Sequence, residues 1–184
     1  MNGIVPSARP QLTNMDARTL IVKHGIKEEV VLVGLRGYYS NTFAPAGNNW
    51  GVYDDALALV SPTAFLAVNA NTDPSRKKAG VAQLQTGVHL YKKGLHGISR
   101  KPPYVPYPAL RPASPDESVP VLRDGKASRG VAINIHKGGY NTTSSLGCQT
   151  IYPDQWKQFQ VLVYAEMDRY GQKTIPYLLV DQTG

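Results

Sequence analysis

The sequence has a single cysteine, Cys148, and no long apolar run. One cysteine excludes an intrachain disulfide framework, and the four scattered histidines lack the ligand spacing of a zinc finger. No window approaches the roughly 18 consecutive apolar residues of a membrane-spanning helix. We therefore expect a protein made in a reducing compartment and stabilised by packing, with no metal, no cofactor and no membrane span.

Acidic residues are also lacking from Pro74 to Ser114, which we call the basic segment. It carries eight basic residues, whereas the rest of the chain has 12 basic and 13 acidic residues. Such a local charge attracts anionic polymers, although a merely solubilising surface is the alternative. Glycine-aromatic platforms and a basic recognition helix are missing, so we expect anionic envelope polymers and no nucleic acid as partners. The basic residues are Arg76, Lys77, Lys78, Lys92, Lys93, Arg100, Lys101 and Arg111.

The length of 184 residues and the 42% apolar content predict one catalytic domain over residues 1–184 with a substantial core. Residues 101–130 hold seven prolines between positions 102 and 120. Because proline removes a ladder hydrogen bond, this stretch is expected to be a surface insertion or flap, with an interdomain linker as the alternative.

Hydrophobic periodicity predicts an α+β fold that is mostly β with a packed C-terminal helix. The helix at 153–170 starts at a proline and places Trp156, Phe159, Val163 and Met167 on one buried stripe. The other expected elements are a helix at 13–25, strands at 29–39, 55–60, 64–70, 131–136, 148–151 and 174–180, and a hairpin within 83–95.

Two residues that carry chemistry, His136 and Cys148, flank the polar, glycine-rich loop between the last two predicted strands before the helix. An antiparallel hairpin centred on Thr142 would set them opposite each other, with Cβ atoms about 4.5 to 5.5 Å apart. An adjacent imidazole lowers a thiol pKa below its reference of about 8.5 and supplies a base. The spacing predicts a cysteine nucleophile with its histidine, and a buried, inert cysteine is the alternative.

The loop between these residues supplies candidate substrate contacts. Gly147 allows close approach of the backbone, N–H groups near Cys148 are candidate oxyanion donors, and the loop hydroxyls are available for hydrogen bonds. His89 and His96 bracket the segment GVHLYKKGLHG and are candidates to reach the same cleft, with a surface or structural role as the alternative. The predicted substrate-binding residues are Asp73, His89, Asn134, Gly139, Tyr140, Ser145 and Gly147.

His136 followed by Ser145-Leu146-Gly147-Cys148 resembles the signature of the L,D-transpeptidase catalytic-domain family, a strand histidine followed by Ser/Thr-x-Gly-Cys. The resemblance covers residues 130–152. It implies a mostly β catalytic fold in which Cys148 attacks peptide bonds of the peptidoglycan stem, with His136 as the upstream histidine. Leu146 stands where the family usually has histidine or arginine, Thr150 where it often has arginine or asparagine, and the loop is shorter. These departures favour a divergent hydrolase.

The N-terminus, with Pro6 and Pro10, has no apolar stretch of signal-peptide length. The sequence therefore predicts a peptidoglycan-degrading cysteine enzyme of the phage endolysin type, or an injected antibacterial effector. Such a protein is made in the host cytoplasm and reaches the periplasm or cell wall without its own signal peptide. Two alternatives stay open: a lysozyme-like glycosidase that uses an acid such as Asp73, and a non-catalytic wall-binding or virion structural module.

Overall fold

A computed structural model describes residues 3–43, 45 and 47–183 of the chain. Two helices and eleven strands are present in the described residues, and the predicted mostly β fold with a packed C-terminal helix is confirmed. The elements are α1 (Asn14–Lys23), β1 (Val31–Arg36), β2 (Asp55–Val60), β3 (Phe65–Asn71), β4 (Gln83–Leu84), β5 (Gly87–His96), β6 (Tyr107–Pro112), β7 (Ser118–Arg123), β8 (Lys126–Val131), β9 (Ile135–Lys137), β10 (Gln149–Ile151), α2 (Pro153–Arg169) and β11 (Thr174–Asp181).

Eight strands form a closed barrel in the order β1-β11-β5-β6-β9-β10-β3-β2. Neighbours are antiparallel except at two places, because β1 pairs in parallel with β11 and β9 in parallel with β10. The remaining strands make a separate three-stranded sheet in the order β4-β7-β8. Closure of the barrel removes the free strand edges that would otherwise invite pairing with another chain.

Alternate residues of the barrel strands point into a core that α2 also enters. Tyr177 of β11 and Ile135 of β9 are fully buried in the same cluster as Phe159, Val163 and Met167 of the helix. Pro153 occupies the first turn of α2, where its missing N–H costs no hydrogen bond. The predicted helix and its buried stripe are thus confirmed.

The opposite faces of β1 and β2 are covered by α1. Thr13 caps this helix in a capping box with Asp16, and Gly25 with a positive φ of 67° follows its end. Ala17 and Ile21 pack against the outward-facing side chains of the two strands. The predicted helix at 13–25 is therefore confirmed with slightly shorter bounds.

Two expectations for the middle of the chain are wrong. The segment 83–95 is not a hairpin, because β4 pairs with β7 of the small sheet while β5 is one long barrel strand. The proline-rich stretch contains a barrel strand, β6. Its prolines are tolerated because β6 pairs with β9 only through Leu110 and Ile135. Only β7 and β8 behave as an excursion from the barrel.

The predicted strand at 131–136 is also divided in two. Val131 ends β8, and Ala132 adopts a left-handed conformation with φ of 54° and donates its N–H to the Glu117 carbonyl. The barrel strand β9 begins only at Ile135. Neither helix of the described chain is long and apolar enough to cross a membrane.

The packing of α2 predicts opposite outcomes for two similar substitutions. Phe159 is fully buried, whereas Val161 is 55% exposed. Phe159→Asp should lower the free energy of unfolding by at least about 3 kcal/mol, because it creates a cavity and buries a carboxylate. The matched change Val161→Asp should cost no more than about 0.5 kcal/mol. Urea unfolding measures both, and equal midpoints for the two variants would contradict this packing.

Candidate active site

His136 and Cys148 reach the outer face of the barrel by a route that differs from the predicted one. Ile135 points into the core, so strand alternation turns His136 outward. The strands β9 and β10 are parallel, with Thr150 beside His136 and Gln149 beside Ile135. The Gln149 N–H donates to the Asn134 carbonyl at 2.9 Å, which sets Cys148 level with Asn134. The predicted antiparallel hairpin is therefore wrong, and the parallel register places Cys148 and His136 two positions apart on one face.

Ser75 holds the loop that delivers Cys148. Its hydroxyl accepts the Ser145 N–H at 2.7 Å and lies 2.6 Å from the Thr143 hydroxyl. Its own N–H donates to the Ser145 carbonyl at 2.9 Å. The Ser145 hydroxyl in turn donates to the Cys148 carbonyl at 2.6 Å. Ser145, which was predicted as a substrate contact, thus fixes the backbone at Cys148.

The backbone around Cys148 is strained at three residues. Gly147 has φ of 135°, and a Cβ there would lie 2.5 Å from the Ala82 carbonyl, so this position requires glycine. Ser144 and Ala132 are left-handed with φ of 56° and 54° although neither is glycine. The Cys148 thiol donates to the Ala132 carbonyl at 3.6 Å. Such strain is concentrated at functional sites in proteins.

The same turn restricts where an oxyanion can be bound. The Gly147 N–H donates to the Ser145 hydroxyl at 2.9 Å, so it is not available as an oxyanion donor. Of the N–H groups that the sequence proposed, the Cys148 N–H is therefore the one that remains a candidate.

Hydrogen bonds fix the protonation of His136. Burial and the neighbouring His96 lower the pKa of His136 to about 3, so the ring is neutral at pH 7. Its Nδ1 lies 2.7 Å from the Lys137 carbonyl, which only accepts, and therefore Nδ1 carries the proton. The Tyr107 hydroxyl is 3.1 Å from the same nitrogen. The other ring nitrogen, Nε2, is therefore left unprotonated.

Two further residues, His96 and Tyr107, complete this face, and neither was among the predicted site residues. The His96 ring stacks on His136 with a centroid separation of 3.8 Å, and the Asn134 amide donates to its Nδ1 at 3.2 Å. Burial lowers the pKa of His96 to about 4. Tyr107 comes from the proline-rich stretch that was predicted to be irregular. Strand alternation could have predicted this orientation of Tyr107. With Leu110 buried in the core, Tyr107, Ala109 and Arg111 fall on the other face of the strand.

The pKa of Cys148 contradicts the sequence expectation. Burial raises it to about 11, although the Asn134 N–H and the charges of Arg111 and Arg100 act in the opposite direction. The neutral His136 ring carries no charge that would stabilise a thiolate. Cysteine and histidine are therefore both uncharged at pH 7.

Two of the predicted substrate-binding residues lie away from this face. Asp73 is fully buried in an ion pair with Arg36, at 3.2 Å, and accepts hydrogen bonds from Asn48 and Gln83. His89 shares the inward alternation of Tyr91, and its Nε2 lies 2.8 Å from the Gln85 carbonyl. Both side chains are buried and occupied by structural partners, so neither contacts substrate at Cys148.

The remaining predicted contacts surround the site. Asn134 is buried beside Cys148, and its Oδ1 has no hydrogen-bond partner among the described residues. The Gly139 carbonyl accepts the Tyr53 hydroxyl at 2.8 Å, which anchors the start of the loop. Tyr140 is 61% exposed and lines a cavity of about 500 Å³ with Tyr107, Lys137 and Trp156. No group of three or more His, Cys, Asp or Glu in the described ranges is placed to hold a metal ion.

The raised thiol pKa predicts slow alkylation of the folded protein. A group with pKa near 11 is almost wholly protonated at pH 8, so iodoacetamide should modify native Cys148 roughly 100-fold more slowly than the unfolded chain. The native rate should rise with a midpoint near pH 11, whereas the urea-unfolded control should have its midpoint near pH 8.5. A native midpoint below 8.5 would show that His136 holds the thiol as a thiolate.

Comparison with models of known protein families, with curated proteins and with solved structures finds no match for this chain. The resemblance noted in the sequence therefore rests on His136 and on residues 145–148 alone.

Proposed function

We propose that this protein is a peptidoglycan hydrolase that uses Cys148 as a nucleophile on stem peptides or their cross-links. The observation that carries the proposal is the β9–β10 register, which places Cys148 and His136 on one face of this strand pair. The Lys137 carbonyl holds the proton of that histidine on Nδ1 and leaves Nε2 unprotonated. Nucleophile, base and orienting group are the parts that acyl transfer needs.

The reaction proceeds through a thioester. As the sulfur bonds to the substrate carbonyl carbon, the thiol proton passes to His136 Nε2, and the oxyanion forms beside the Cys148 N–H. The C–N bond then breaks, and the Nε2 proton goes to the leaving amine. Water next attacks the thioester and gives a proton to Nε2. The C–S bond breaks, the acid leaves, and the proton returns from Nε2 to the sulfur.

Burial explains why this proton transfer is linked to substrate attack. A lone thiolate or a lone imidazolium is disfavoured here, as the raised pKa of Cys148 and the lowered pKa of His136 show. Formed together, the two charges attract each other in surroundings of low polarity. Attack on a bound carbonyl also transfers the sulfur charge onward. The site is thus at rest as a neutral pair and becomes charged only during the reaction.

The two alternative readings have less support. The acid named for a glycosidase, Asp73, is buried in an ion pair rather than facing a cleft. A purely structural module gives no reason for an oriented histidine beside a thiol. The basic segment and the transpeptidase-like signature fit an enzyme that acts on the cell wall, and we place it with phage endolysins or injected effectors.

The product formed from purified sacculi tests the reaction class. Wild-type protein should release new amino groups and no new reducing ends. Cys148→Ala should lower the rate at least about 100-fold, and His136→Ala about 100- to 10,000-fold. Unfolding curves should show that both variants remain folded. New reducing ends that are still formed by Cys148→Ala would establish the glycosidase. If the wild-type protein forms neither product, the non-catalytic binding module is the remaining explanation.

Binding to sacculi should depend on the basic segment and on salt. Arg111 is paired with Glu117 and Lys93 with Asp168, so reversing either would disturb the fold. The triple variant Lys77→Glu, Lys78→Glu, Lys92→Glu should therefore weaken binding several-fold at low salt, and added salt should reduce the difference. A matched control is Lys27→Glu, Lys126→Glu, Lys173→Glu, which lies outside the segment. Identical isotherms for the two triple variants would rule out a specific role for the segment.

A further inference from the structure

A cationic cavity adjoins the loop that carries Cys148. It encloses about 460 Å³, and its lining comprises Ser75, Arg76, Lys78, Val81, Arg100, Thr142, Ser144, Ser145 and Leu146. Among the described residues, this lining has three cations, four hydroxyls and no carboxylate. A cavity of this size holds a small group rather than a polymer strand.

We propose that this cavity binds a free carboxylate of the peptide substrate. The proposal rests on the function proposed above and narrows the substrate class. Stem peptides that carry an ionised carboxylate close to the cleaved bond are preferred over peptides in which that group is amidated.

The charge of the cavity is not neutralised within the protein. In the described part of the chain, none of Arg76, Lys78 and Arg100 forms an ion pair, whereas Arg36, Arg111 and Arg169 each have a carboxylate partner. The Arg100 guanidinium lies over the Tyr104 ring at 4.7 Å. Stacking restricts the plane of the guanidinium, and a planar guanidinium matches the two oxygens of a carboxylate.

The hydroxyl side of the cavity is rigid before a ligand arrives. Ser75 and Ser145 hold each other through two hydrogen bonds, and the Thr142 hydroxyl accepts the Ser144 N–H at 2.9 Å. Ser144 keeps its left-handed conformation in this turn. The Ser145 hydroxyl proton is already donated to the Cys148 carbonyl, so Thr142 and Ser144 supply the hydroxyl donors for an anion. A turn that is fixed in advance loses little conformational freedom when an anion binds.

The cavity is connected to the reacting atoms. Ser145 lines it and also donates its hydroxyl proton to the Cys148 carbonyl. Arg100 is near enough that its charge lowers the pKa of both Cys148 and His136. Because Ser145 belongs to both the cavity lining and the loop that carries Cys148, a carboxylate held in the cavity is adjacent to that loop.

Binding measured without turnover tests the assignment. The full chain carrying Cys148→Ala is titrated calorimetrically with a synthetic stem pentapeptide that ends in a free carboxylate. The same peptide as its C-terminal carboxamide, and a third form amidated only at an internal carboxylate, show which carboxylate is recognised. One amidated form should bind about 10-fold more weakly than the free acid, since a charge-assisted hydrogen bond is lost.

Substitutions in the same Cys148→Ala chain locate the effect. Arg100→Gln should weaken binding of the free acid about 10-fold and leave the amidated form unchanged. Lys126→Gln, on β8 outside the cavity, should change neither. If Arg100→Gln shows a lowered melting temperature, Arg76→Gln and Lys78→Gln take its place.

Equal affinities for all three peptides, or an Arg100→Gln effect of the same size on acid and amide, would overturn the carboxylate assignment. If wild-type protein cleaves no sacculi but the free acid is still preferred, the cavity assignment stands and the proposed hydrolysis falls. If sacculi are cleaved but the free acid is not preferred, the proposed hydrolysis stands and the cavity assignment falls.

Discussion

The parallel pairing of β9 with β10 is the constraint on which the site depends. In this register Asn134, His136, Cys148 and Thr150 share one face, while Ile135, Gln149 and Ile151 share the other. A parallel pair cannot be joined by a tight turn, so residues 138–148 must cross back to the start of the neighbouring strand. That crossing segment is anchored by Tyr53 at Gly139 and by Ser75 at Thr143 and Ser145. Cys148 is therefore placed by an anchored loop rather than by a hairpin.

A buried polar network fixes the segment that leads to Ser75. Asp73 is ion-paired with Arg36, and its neighbour Thr72 donates its N–H to Asp55 at 2.6 Å. These contacts fix the end of β3, which leads directly to Ser75. Breaking a buried pair leaves an uncompensated charge in the core, so this segment is held firmly. Asp73 thus acts at a distance, by positioning the residue that positions the loop.

Burial also decides the electrostatics of the site. The site face is enclosed by Tyr107, the stacked His96 and the neighbouring strands, and desolvation outweighs the positive charges of Arg100 and Arg111 at the thiol. The result is a neutral cysteine beside a neutral, correctly protonated histidine. Arg100 lines the cationic cavity, and its charge also acts on Cys148 and His136.

Local patterns in the sequence predicted the helices, the paired strands β2 and β3 and the last strand well, because periodicity and caps report local structure. The shared outward face of His136 and Cys148 was also predictable from alternation. Strand direction was not, because the choice between a hairpin and a parallel pair depends on β3 and β6, which flank the pair in the barrel. The strand β6 was missed because its prolines are tolerated only where the neighbouring strand pairs through a single residue, and the sequence does not show which strand lies there. The thiol pKa depends on burial, which no spacing reveals.

Direct detection of the covalent intermediate tests the central claim, that Cys148 is acylated. Wild-type protein mixed with a synthetic stem peptide is quenched in acid within the first turnover, and the intact and digested chain is analysed by mass spectrometry. If Cys148 is acylated, the chain should gain a mass equal to the acyl part of the peptide. The adduct should lie on Cys148, and hydroxylamine should remove it, as expected for a thioester. Product formation with the adduct on another residue, or with no adduct at any quench time, would contradict it.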